Sequence, residues 1–275
     1  MVRRNNHTFA NHGETSGTSS GLNFSIMDDK KSAVISAAIT SAINMASLAL
    51  SDGVSGVISA ISPMVQLAIE RGLSAIGAGR MSEREQTRIG SAVYWAAQVV
   101  EENSRAGRII QQSQFTQDDM SILVESIFRA VSEDSQEKKE KAYGALLGNF
   151  AFQNKFDAGA LFTMAKMLKE MSLDELLLIA ALKGRPGMNY EAYYKKLDQE
   201  GDLKCGEMVG HFMRLRNLGI VVRVVPISLG STVGNLKLSA LGEAFCDLAK
   251  LYDIDPVACD ALRAYLDLYA KPAGM

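Results

Sequence analysis

Between Lys31 and Glu70 the chain carries a single charged side chain, Asp52, and no other feature of the sequence limits its folding so strongly. Ser32–Ser51 reads SAVISAAITSAINMASLALS, Val54–Ile69 reads VSGVISAISPMVQLAI, and the Asp52-Gly53 dipeptide between them is a turn signal. Read at helical spacing, Ile35, Ile39, Ile43 and Leu50 share one face while Ser36, Thr40, Asn44 and Ser47 share another. The second stretch repeats the scheme, with Val54, Val57, Ile58, Ile61 and Val65 set against Ser55, Ser59, Ser62 and Gln66. The pattern predicts an apolar helical hairpin over residues 29–81. Ile35, Ile39, Ile43, Leu50, Val57, Ile61 and Val65 are its candidate membrane-facing or oligomer-forming residues.

Two destinations satisfy such a hairpin. A bilayer span needs about 20 apolar residues, which the first stretch supplies and the second approaches. Small and hydroxyl-bearing seams suit close helix association in lipid. Lys30-Lys31 at one end and Glu70-Arg71 at the other would keep both ends on the same side. Alternatively the helices pack in a protein core or an oligomer interface, with Ser and Thr bonding to the backbone of the preceding turn.

The rest of the sequence is that of an ordinary globular protein. Its 275 residues are 47% hydrophobic, enough for a sizeable core. Lys and Arg number 29 against 31 Asp and Glu, so the formal charge of −2 exerts no overall pull on nucleic acid or anionic lipid, and any attraction must be local. Cys205, Cys246 and Cys259 are odd in number, lack CxxC spacing and lie in apolar helical contexts, which points to a reducing cytosol. Residues 1–28 are rich in Asn, Gly, Ser and Thr, a composition expected to stay disordered. The opening MVRRNNHTFANHG has no apolar run behind its arginines, so no secretory signal is expected.

Residues 82–184 predict a helical bundle. Ser82 with Glu85 forms a capping box ahead of a periodic segment through Ile89, Val93, Ala96 and Val100. Thr116 with Asp119 opens a helix carrying Ile122, Leu123, Ile127, Phe128 and Val131. The charged interval SEDSQEKKEK leads into AYGALLGNFAFQ, a helix through Leu161, Met164, Leu168 and Met171 follows, and Ser172 with Glu175 caps SLDELLLIAAL. The loop KGRPGM then interrupts the helical rhythm. Residues 185–275 predict a winged-helix-like α+β module: helices near 190–197 and 207–218, a stop at Gly219, strands at 220–225 and NLKLS, a helix from Ala240, and a terminal helix begun by Asp255-Pro256. The fold class is therefore mainly α, in three parts: hairpin, bundle and winged-helix-like module.

Little in the chain is suited to catalysis. His211 is the one histidine outside the N-terminal tail, and it has no HExxH pattern and no Cys at ligand spacing, so no metal site is expected. Glu101-Glu102, Asp118-Asp119 and Glu133-Asp134 are adjacent pairs, which diverge on a helix and read as solvated faces or caps. Gly72–Arg80 lacks the Lys and hydroxyl of a phosphate-cradling loop. Neither a catalytic residue nor a cofactor is expected. Arg214, Arg216, Arg223 and Lys237 are the candidates for nucleic-acid contact, but Glu207, Glu243 and Asp247 lie near them and no dense basic stripe forms, so DNA ranks below a protein partner.

The sequences EKKEKAYGALLGNFAFQ, FTMAKMLKEMSLDELLLIAAL, FMRLRNLGIV and LKLSALGEAF, spread over about residues 130–250, resemble the layout of bacterial Abi-alpha-type abortive-infection proteins and related helical families. That resemblance implies a role in phage defence or a related toxin-like response, and it brings no catalytic residue with it. The long Ser/Gly tail and the uncharged hairpin depart from the family pattern. Together these readings predict a non-enzymatic, cytoplasmic protein, associating with itself, with a protein partner or with the inner membrane. A DNA-binding regulator and a helical adaptor are the alternatives.

Overall fold

Ser82, Thr116 and Ser172 each start a helix through a reciprocal capping box, the side chain of each accepting from the backbone N–H three residues on while the acidic residue there accepts from the cap's own N–H. These contacts satisfy donors that a helix start otherwise leaves unpaired. The computed structural model describes residues 71–72, 75–76, 81–109, 111, 116–185, 188–189, 194–196, 198–199, 201–224 and 235–270. The hairpin positions Ile35 to Val65 lie outside them. Among the described residues, no helix is long and apolar enough to cross a membrane.

In chain order the helices and strands are α1 (Glu83–Arg105), α2 (Gln117–Glu133), α3 (Glu140–Phe150), α4 (Ala158–Glu170), α5 (Leu173–Leu182), β1 (Met188–Asn189), α6 (Leu203–Asn217), β2 (Val221–Val224), β3 (Asn235–Leu238), α7 (Ala240–Leu248) and α8 (Pro256–Ala270). Short 3-10 turns at Glu137–Lys139 and Leu251–Ile254 lead into α3 and α8. The described residues are thus mainly helical, with one small sheet among them. The strands order as β1-β3-β2, all antiparallel, with Met188 opposite Leu236 and Val221 opposite Leu238. Gly219, at φ 73°, ends α6 in the left-handed region that favours glycine and turns the chain into β2.

The bundle is organised around α1 and α3, whose contact is the most extensive between any two helices. Gly144 and Gly148 make that approach possible. A Cβ on Gly144 would stand 2.5 Å from the Ala92 carbonyl oxygen, and one on Gly148 would stand 2.6 Å from that of Ala96. Helix α2 packs on α4 and α1 through Met120, Leu123, Ile127 and Phe128, whereas Ile122, which the sequence groups with them, is half exposed.

α5 is the central element. Every residue from Glu175 to Leu182 is buried, a helix apolar nearly all round and therefore covered on all sides. Its cover comes from beyond the KGRPGM loop, because α8 and the 3-10 turn at Leu251–Ile254 pack against it. One apolar cluster accordingly runs from Ile89 to Leu266, straight across the 184/185 boundary read from the sequence. Cys205, Cys246 and Cys259 are buried free thiols within it. Burial pushes the Cys246 thiol up to about 12 and the Cys259 thiol up to about 11.

The core also contains charge. Lys139 donates to Asp134 Oδ2 at 2.7 Å with both side chains nearly inaccessible, 2% and 9% exposed, and the Tyr143 hydroxyl donates to the same oxygen at 3.0 Å. Asp134 is the C-cap residue of α2, as one reading of its pairing with Glu133 has it, but its side chain turns inward and is not solvated. Its neighbour Glu133 does face outward, where it pairs with Lys169.

Candidate functional site

The first turn of α5, the middle of α6 and one face of α8 enclose a half-open groove of about 380 Å³, lined among others by Asp174, Glu207, His211, Lys204, Leu262 and Tyr265. The capping box decides what α5 contributes. Glu175 must fold back to accept the Ser172 N–H through Oε2 at 2.8 Å, which carries its carboxylate inward to 1% exposure. Asp174, one residue earlier, is left pointing out into the groove.

α6 begins at Asp202, whose carboxylate accepts from the Lys204 and Cys205 N–H groups; these hydrogen bonds hold it below the usual carboxylate range. With the start fixed there, the helical repeat buries Cys205, Met208, Phe212 and Leu215. Glu207 and His211, one turn apart, then fall on the groove side. The imidazole is held between two carboxylates. Its Nδ1 stands 3.6 Å from Glu175 Oε1 and its Nε2 stands 3.9 Å from Glu207 Oε1. Asp174, Glu207 and His211 bring one potential ligand atom each to within 4.8 Å of one another. Lys204 lines the same groove with its ammonium 4.6 Å from the centre of the Tyr265 ring, an arrangement that gives the cation an aromatic face.

The four cationic candidates for nucleic-acid contact are not assembled into one surface. Arg214 is turned back toward the bundle: Nη1 lies 3.4 Å from Glu175 Oε2, and Nη2 donates to the Glu170 carbonyl at the end of α4. Arg216 is exposed on α6. In the β2–β3 ladder Val222 faces Lys237 and Arg223 faces Leu236, so Arg223 and Lys237 leave the sheet on opposite sides. The same elements also expose apolar side chains, Leu203 at 86%, Met213 at 45% and Val222 at 37%.

The acidic partners of His211 have neither the HExxH pattern nor the Cys spacing that marks a metal site in sequence. The usable signal was the Glu207-x-x-x-His211 spacing, which sets both on one helix face. Asp174 and Glu175 reach the imidazole only through the packing of α5 against α6, which no local pattern encodes. A second hollow of about 440 Å³ is lined by Ile109, Phe152, Phe156 and Leu248 together with Arg108 and Asp247. Comparison with family models, with characterised proteins and with solved structures found no match to this chain.

Proposed function

We propose that the chain is a non-enzymatic effector of the bacterial phage-defence, abortive-infection kind. In this reading the helical body with its C-terminal module holds a partner or a second copy, and the segment from Ser32 to Ile69, charged only at Asp52, acts by oligomerising or by perturbing the inner membrane from the cytoplasmic side. Three features support a winged-helix-like description within residues 185–275. The chain runs β1, the helical residues 194–196 and 198–199, α6, β2, β3 and α7; the strand order is β1-β3-β2; and α6 precedes the two-stranded wing.

The observation that carries protein contact over DNA is the character of α6. The helix that in a helix-turn-helix reader would enter a groove instead exposes Leu203 and Met213 and has Arg214 drawn onto Glu175. Phosphate binding rewards clustered cations, and here they are dispersed.

The test is fractionation of the full chain between cytosol and membrane, with its assembly state measured in each fraction, for the parent and for Ile39→Asp. A carboxylate in the apolar stripe is costly in lipid and in a packed interface alike. Loss of membrane association or of assembly, together with loss of any toxicity, is the expected outcome. Toxicity that survives the substitution removes the hairpin from the mechanism. Salt-dependent DNA binding that falls on Arg214→Ala would replace this reading with that of a transcriptional regulator.

A further inference from the structure

We propose that Asp174, Glu207 and His211 form a binding site for a divalent first-row transition cation, joining the first turn of α5 to the middle of α6. The site is independent of the hairpin reading above. Its donor set is one imidazole nitrogen and two carboxylates, a combination that suits Zn2+, Co2+, Ni2+ or Mn2+.

Three observations converge on it. The ligand atoms lie within 4.8 Å of one another. Bonds of about 2.0–2.2 Å to a tetrahedral ion place neighbouring ligands about 3.3–3.6 Å apart. Closing the difference takes roughly one ångström of rotation by Asp174 and Glu207, both exposed and free to turn about their side-chain bonds. The second observation is the carboxylate behind the imidazole. Glu175, 1% exposed, stands 3.6 Å from Nδ1, while Glu207 stands 3.9 Å from Nε2 on the other side of the ring. A metal-ligating histidine is ordinarily oriented by such an outer carboxylate. The third is access, since the three ligands line a half-open groove, with room for water at the remaining coordination positions.

The charges around the site are Asp174, Glu175 and Glu207 against Lys204 and Arg214. These five side chains sum to one negative charge, and Arg214 is drawn onto Glu175. Lys204 is the cation that opposes an incoming ion, and its position over Tyr265 sets it to one side.

The full chain is titrated with ZnCl2 by calorimetry and by thermal melting, and with CoCl2 by absorption spectroscopy. One ion per chain, a raised Tm and a cobalt spectrum without a thiolate charge-transfer band are expected. His211→Ala and Glu207→Gln should each weaken binding at least about tenfold, and Glu175→Gln about 10–100-fold, the range for an outer-shell partner. Each variant's metal-free melt shows whether it still folds. Lys204→Gln acts in the opposite direction, tightening binding by removing the opposing charge, so a folding defect cannot imitate it. The double substitution His7→Ala, His12→Ala should leave the affinity unchanged. Absence of binding by the parent, a thiolate band, undiminished affinity in His211→Ala, or dependence on His7 and His12 would each overturn the assignment.

Discussion

Lys139 and Asp134 are a buried ion pair in the bundle, and removing one member leaves the other uncompensated. Lys139→Met is expected to lower stability by about 3–5 kcal/mol, read as a shift in urea midpoint at constant slope. The double substitution Asp134→Leu, Lys139→Met should cost less than that single change, because no charge is then stranded. An equal or greater loss in the double variant would mean the pair contributes net attraction. Ser172→Ala tests the other buried carboxylate, since it removes the hydroxyl that accepts the Glu175 N–H at 3.2 Å. About 1 kcal/mol is the expected loss, measured in the same way. These two cases mark a boundary of legibility. The Ser172–Glu175 box is readable because its partners are three residues apart, and it forms as the sequence predicts. The depth at which Glu175 and Asp134 sit depends on what packs over them later, so one reads merely as a cap and the other as a solvated face or a cap.

Among the elements, α1 and α3 approach so closely that added carbon has nowhere to go. Gly148→Ala places a Cβ 2.6 Å from the Ala96 carbonyl oxygen, a backbone atom that moves only with its helix. Overpacking of this kind costs about 1–3 kcal/mol, despite alanine being the better helix former. A neutral or stabilising result by chemical denaturation would contradict the packing described. Helix starts, the Gly219 stop and the β2 and β3 strands are legible in LLGNFAF-like spacing, capping residues and β-branched runs. By contrast β1, two residues long, carries no pattern of its own and exists through its pairing with β3. The site follows the same rule. Arg214, Arg216, Arg223 and Lys237 are easily picked out as cations, but only the register of the ladder reveals that two of them diverge.

For the molecule as a whole, titration follows the same helix starts. Glu85, Asp119, Asp202 and Asp255 are all held below the usual carboxylate range, chiefly by hydrogen bonds from Ser82, Thr116, the Cys205 backbone and Lys138 respectively. A depressed folded-state pKa contributes stability that is present above the unfolded value, near 4, and is lost as pH falls through the folded one. The melting temperature should therefore fall below about pH 4, and Asp119→Asn should flatten that fall. The thiols give the opposite sign. Cys246 and Cys259, raised to about 12 and about 11, stabilise the fold below the unfolded thiol value near 8.5. That contribution fades as pH rises toward their folded values. Alkylation of both at pH 9 should remain slow until denaturant is added, and rapid labelling of the native protein would show that the core opens at these sites.

The burial of α5 by sequence that follows it has a consequence for biosynthesis. A chain emerging from the ribosome N-terminus first presents Leu176–Leu182 bare until Leu251, Cys259 and Leu266 have been made, because those late residues provide its cover. A nascent polypeptide halted near residue 184 would hold a sticky rod with nothing to shield it, a natural client for holding chaperones and a natural nucleus for aggregation.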